Sequence, residues 1–149
     1  MKTQLRRDAI VRAARSWIGT PYHHQASCKG VGADCLGLVR GVWRDCFGSD
    51  VETPATYSRD WAEASGIETM LIGARRYLVE INPSQCAAGD VLIFRLRAGY
   101  VAKHAALVAT RGTMIHAMEG GPVSEVALSP WWRRRIAAAF QFPHLRSGE

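Results

Sequence analysis

The feature that most limits how this chain can fold is a change of period in its apolar residues near position 77. From Thr3 to Trp17, Leu5, Ala9, Ile10, Ala13, Ala14 and Trp17 recur at three- and four-residue steps. That stripe predicts a helix, with Thr3 as its cap and Gly19 and Pro21 ending it. A Gly-rich loop over 19–33 leads to a second helix from about Asp34 to Cys46, with Leu38, Val39, Val42 and Trp43 on one stripe and Gly48 closing it. A turn-rich link through Pro54 precedes a third helical stretch over 59–76, interrupted near Gly66. Beyond it the pattern alternates. Apolar segments at 77–81, 90–96, 104–110, 113–118, 123–128 and 136–142 are punctuated by Gly89, Gly99, Gly112, Gly120-Gly121 and Pro130. Helices first and strands afterwards predict an α+β fold, N-terminal helices packed on an antiparallel, meandering sheet of about five to six strands. No repeat or linker divides the 149 residues, so one domain over 1–149 is expected.

A formal charge of +6 points to an anionic partner, and nucleic acid and bacterial cell wall both qualify. The basic residues are scattered except at Arg133-Arg134-Arg135, and no nucleic-acid motif appears, so nucleic acid is not the expected partner. The first fifteen residues carry Arg6, Arg7, Arg12 and Arg15 without an unbroken apolar stretch. They read as neither a secretory signal nor a membrane span, so synthesis in the cytoplasm and no membrane partner are expected. Cys28, Cys35, Cys46 and Cys86 form no CxxC pair, which argues against a disulfide framework. A zinc site from Cys28, Cys35, His104 and His116 is possible on ligand type, but its spacings match no common zinc module; no metal or cofactor is expected.

Cys35 stands where the Gly-rich loop gives way to the second helix, in Gly32-Ala33-Asp34-Cys35-Leu36-Gly37-Leu38-Val39. Free N–H groups and the positive end of the helix dipole favour thiolate there, so the thiol is expected to titrate below the ordinary cysteine value. Cys46 and Cys86 read as structural. His104 opens one predicted strand and His116 lies on the next, across a tight turn at Arg111-Gly112, which brings the two to neighbouring rungs of an antiparallel pair. One histidine can take the thiol proton and the other orient it.

These blocks resemble those of the NlpC-type cell-wall peptidases, circularly permuted relatives of papain. The resemblance lies in Gly19-Thr20-Pro21-Tyr22, Asp34-Cys35-Leu36-Gly37-Leu38-Val39, Ala88-Gly89-Asp90-Val91-Leu92-Ile93-Phe94, Lys103-His104-Ala105-Ala106-Leu107-Val108 and Met114-Ile115-His116-Ala117, in the same order and over most of residues 9–142. It implies a permuted papain-like fold and a cysteine endopeptidase acting on the peptidoglycan stem peptide, between γ-D-glutamate and diaminopimelate. Cys35 would be the nucleophile, His104 the base and His116 the orienting third residue. Tyr22 would help stabilise the oxyanion, and Asp34, also a helix cap, would bind a free substrate amine. Leu36 stands where the family usually has serine, which weakens any free-amine requirement, and His23-His24 replace a common Gly-Gly and read as solvated. The stretches His24-Gln25-Ala26-Ser27-Cys28-Lys29-Gly30-Val31-Gly32 and Pro130-Trp131-Trp132-Arg133-Arg134-Arg135 resemble one branch, the peptidases encoded in phage tail gene clusters and gene transfer agents. That branch implies phage-like tail proteins as partners and an enzyme carried in a particle to the wall in the periplasm. The alternatives are an amidase cutting between sugar and peptide, and a non-catalytic tail-tip or wall-binding module.

Overall fold

A computed structural model of the protein describes residues 5–50 and 68–145. Helix α1 (Arg7–Arg15) leads into a loop that carries a small hairpin, β1 (Ser27–Cys28) with β2 (Gly32–Ala33), and then helix α2 (Cys35–Phe47). Helix α3 (Thr69–Tyr77) precedes strands β3 (Val79–Ile81), β4 (Val91–Phe94), β5 (His104–Thr110), β6 (Thr113–His116) and β7 (Ser124–Ala127). A one-turn helix, α4 (Pro130–Arg133), then turns the chain into β8 (Ile136–Gln141). The α+β class and the six-stranded antiparallel sheet follow the period of the sequence. The meander does not extend through the whole sheet: its order is β3-β8-β4-β5-β6-β7, so the last strand inserts between the first two. Strand order depends on pairing partners distant in sequence, which alternation cannot encode. Helix α1 starts at Arg7 rather than Thr3, which lies outside the described residues, as does the predicted helical stretch before residue 68.

Both faces of the sheet are covered. Ala105, Leu107 and Ala109 of β5 and Val91 and Ile93 of β4 pack with α1 and α2 in the main core. The intervening residues Leu92, Phe94, Ala106, Val108 and Met114 form a second core closed by Trp132 and Leu128. That is why Val91-Leu92-Ile93-Phe94 is a continuous apolar run, as a strand buried on both sides should be.

Two glycines let α2 sit where it does. A Cβ at Gly41 would collide with the Trp17 ring, and one at Gly37 would collide with the Ala26 carbonyl of the loop. Trp17 is therefore buried flat against α2, its Nε1 donating to Asp45 Oδ2 at 2.9 Å. Removing a ring packed like this costs about 3–5 kcal/mol. At the other end, Arg7 of α1 reaches Asp90 at the head of β4, 2.6 Å from Oδ1, and also donates to the Ala88 carbonyl. Asp90 is fully buried, and its second oxygen accepts from Ala87 N at 2.8 Å. Gly89 turns the chain here with φ +89°, a conformation that only glycine adopts without strain.

This pair generates a prediction. Asp90→Ala takes the buried carboxylate from Arg7 and frees the Ala87 N–H, so urea unfolding should show a loss of about 3 kcal/mol with an unchanged slope. A loss under 1 kcal/mol would mean that the pair does not hold α1 to the sheet.

Candidate active site

The site is built on the first turn of α2. Asp34 is its N-cap: Oδ1 accepts from Gly37 N and Oδ2 from Gln25 N, each at 2.7 Å. The carboxylate is thus a cap for the helix and a clasp for the loop, and it is buried. His24 Nδ1 lies 3.8 Å from Oδ2, so His24 stands against the cap while His23 is exposed. A bridge joins Tyr22 to Ala33, with Ala33 N donating to Pro21 O and His23 N to Ala33 O. This brings Tyr22 alongside the chain two residues before Cys35, half-buried against the main core. Leu36, the second residue of α2, is partly exposed.

Cys35 faces the start of β5. Its Sγ donates to the Lys103 carbonyl at 3.9 Å, one residue before His104. His104 Nε2 and His116 Nδ1 are 2.9 Å apart, so the two predicted histidines meet directly across β5 and β6. The tautomer decides the chemistry. If His104 Nε2–H donates to His116 Nδ1, then His104 Nδ1 carries a lone pair and can accept a proton; the reverse donation would leave it protonated and useless as a base.

One residue escaped the sequence reading. The Trp132 ring centroid lies 5.5 Å from that of His104 and 5.4 Å from that of His116, so the indole covers the bond between them. Phe94 closes the cage, 5.0 Å from Trp132 and 6.0 Å from His104. In the sequence, Trp132 is one member of a tryptophan pair ahead of three arginines. Only the insertion of β8 beside β4 brings α4 over the histidines.

The electrostatics reverse the expected state of Cys35. Burial pushes the Cys35 thiol up to about 12, and the adjacent Asp34 carboxylate pushes the same way. Backbone N–H groups of Ala105 on β5 and of Leu36 and Cys35 at the helix start oppose this and lose. Burial likewise brings His104 down to about 3, with His116 adding to the effect, and lowers His116 too. The helix dipole, a few tenths to 1 kcal/mol, cannot match the desolvation of a charge in this packing. The free protein therefore holds a neutral thiol and a neutral imidazole, not a preformed ion pair. Among the described residues, no group of three or more His, Cys, Asp or Glu is arranged to hold a metal ion.

A cysteine at a helix start against the head of a strand that opens on one of a histidine pair, on an antiparallel sheet, is the arrangement of the papain-like class. Within that class, the NlpC/P60 family model matches residues 19–140, and the chain belongs to this family of peptidoglycan hydrolases. It is 26% identical over 137 residues to the gamma-DL-glutamyl hydrolase of Bacillus subtilis (strain 168), covering 91% of this chain but 29% of that relative's length. Among solved structures, the NlpC/p60 domain of the peptidoglycan hydrolase SagA is 26% identical with a TM-score of 0.63, covering 91% of this chain and 98% of that one. RipD of Mycobacterium tuberculosis, described as a non-catalytic NlpC/p60 domain adapted to peptidoglycan binding, shares the fold at 14% identity and a TM-score of 0.59, covering 92% and 96%.

Two outcomes follow from the neutral pair. Iodoacetamide should alkylate exposed Cys28 faster than Cys35 at pH 7, and Cys35 reactivity should still be rising above pH 9; a plateau near pH 6 would restore the ion pair. The buried histidines also make folding acid-sensitive. The unfolded imidazole of His104 takes up a proton near pH 6.5 and the folded one only near 3, so stability falls as pH drops through that window. Trp132→Ala opens the cage to water, and the His104 titration followed by NMR should move up toward 6.5. An unmoved titration would mean that Trp132 is not what keeps the pair dry.

Proposed function

We propose that the protein is a cysteine endopeptidase that cuts the peptidoglycan stem peptide between γ-D-glutamate and diaminopimelate. The observation that carries this reading is the Cys35 thiol at the head of β5 with the hydrogen-bonded His104–His116 pair beginning one residue further on. The choice of bond is supported by the resemblance of the motif blocks and by a relative named for γ-glutamyl hydrolysis.

With a neutral thiol, proton transfer accompanies attack rather than preceding it. As Sγ of Cys35 closes on the amide carbonyl, its proton passes to Nδ1 of His104, and His116 accepts the Nε2–H of the imidazolium that forms. The developing oxyanion is met by the Cys35 N–H and by the Tyr22 hydroxyl; losing one such donor typically costs about 3–4 kcal/mol. His104 then gives its proton to the departing amine of diaminopimelate, leaving a thioester. Water, deprotonated by His104, attacks the thioester and releases the glutamate γ-carboxylate and the thiol. Trp132 keeps bulk water from the His104–His116 bond throughout. Asp34 is the proposed acceptor for a free substrate amine, a preference that Leu36 keeps modest, about tenfold.

The setting we propose is a phage-like particle, whose tail proteins would carry the enzyme from the cytoplasm to the wall. The resemblance of the Cys28 loop and of the Trp-Trp-Arg run to that branch supports it, and the +6 charge suits an anionic wall. One observation favours a second reading, a wall-binding module without turnover: the thiol's hydrogen bond goes to a backbone carbonyl rather than to a base.

Incubation with purified diaminopimelate-type peptidoglycan, followed by mass analysis, tests both. We expect soluble fragments ending in γ-D-glutamate, none from Cys35→Ala or His104→Ala, and residual release from His116→Ala. Retention on the wall without fragments would favour the binding module. Cleavage between sugar and peptide would make the protein an amidase.

A further inference from the structure

The charge pattern of the structure sets four arginines apart. Arg7 pairs with Asp90, Arg15 with Glu125, Arg40 and Arg44 with Asp50, Arg75 with Glu80 and Arg95 with Glu68. Arg97, Arg111, Arg133, Arg134 and Arg135 have no carboxylate partner among the described residues; Arg97 lies over the Tyr100 ring, while the other four lie together, Arg133 donating to the Arg111 carbonyl at 2.7 Å and leading into Arg134 and Arg135 just after α4. An unneutralised cluster is a cost to a folded chain unless something external answers it.

Arg135 differs from its neighbours in being held. Its guanidinium lies 3.7 Å from the centroid of the Trp131 ring, and its NH1 donates to the Trp131 carbonyl at 2.8 Å. Stacking and that single bond fix the plane of the fork while its other N–H groups are left for a ligand. Trp131 is among the most exposed aromatic side chains of the described residues, at 44%. Its ring is 4.9 Å from Trp132, which is 5.5 Å from His104. A peptide residue spans about 3.5 Å, so Arg135 stands within roughly four residues' length of the base.

We propose that the turn after α4 carries a carboxylate subsite in which Arg135, stacked on Trp131, takes a carboxylate borne by the substrate stem, with Arg134 adding charge beside it. This rests on the reading of the site as one that binds wall peptide, and it adds a selection that the Cys–His–His group cannot make: acidic stems over stems whose carboxylates are amides. A planar fork meets a carboxylate through two parallel charge-assisted bonds, whereas an amide turns an N–H toward the donors. The tryptophan next to Arg135 shields the histidines, so one short helix serves both substrate selection and the base.

The test uses the full chain carrying Cys35→Ala, so that binding is read without turnover. Calorimetry compares L-alanyl-γ-D-glutamyl-diaminopimelate with two versions, one amidated at the glutamate α-carboxylate and one at the distal diaminopimelate carboxylate. We expect one amidation to weaken binding about tenfold. Adding Arg135→Gln should erase that difference, and Arg135→Lys should recover only part of it, since a point charge replaces the fork. A difference that survives Arg135→Gln, or no difference in the parent, overturns the proposal. Cleavage by the unaltered chain is scored separately. An Arg135-dependent preference without cleavage would sink the hydrolase reading and leave the subsite standing, and cleavage without the preference would do the reverse.

Discussion

Asp34 ties the loop before α2 to the start of that helix. One carboxylate oxygen takes the Gly37 N–H and starts α2; the other takes the Gln25 N–H and pins the loop against that start. Gly37 is what allows the loop so close, since any side chain there would strike the Ala26 carbonyl. From that fixed point, Cys35 has no freedom of position. It emerges in the first turn, pressed toward the head of β5. The same carboxylate, one residue from the thiol, also resists formation of a thiolate. A group that fixes Cys35 in space therefore makes it harder to ionise.

The chemistry suited to such a site differs from that of an open Cys–His pair. In a buried setting, separating charge before substrate arrives costs more than the attraction between thiolate and imidazolium returns. A neutral pair avoids that cost and stays protected from casual electrophiles and oxidants, whose reactivity depends on the thiolate. In the proposed mechanism, charge develops only when a carbonyl is in place to receive it and the helix N–H groups have an oxyanion to stabilise. The dry cage of Phe94 and Trp132 is consistent with this, because it favours a neutral histidine pair joined by one short hydrogen bond.

The two faces of the sheet divide the work. Toward α1 and α2 the strands give small residues, Ala105 and Ala109 among them, so that a helix can lie close and deliver the cysteine. Toward α4 the strand ends give His104 and His116, with aromatic rings and arginines beyond. The site lies where the head of β5 is reached from both sides. The buried Arg7–Asp90 pair keeps α1 on β4 and so holds the first of those faces together.

Much of this was legible in the sequence. The switch of period after residue 77 determined the α+β class, and Asp34, Gly48 and the Arg111-Gly112 turn marked where elements begin and end, because caps and turns are local. Cys35, His104 and His116 were recognisable for the same reason: each sits at a strand or helix boundary that nearby residues define. What the sequence could not determine depends on distant partners. The insertion of β8 between β3 and β4 is a pairing choice, and it carries Trp132 onto the histidines. The protonation state was also undecidable from the chain, since helix position argues for a thiolate and only burial, a property of the folded packing, argues more strongly against it.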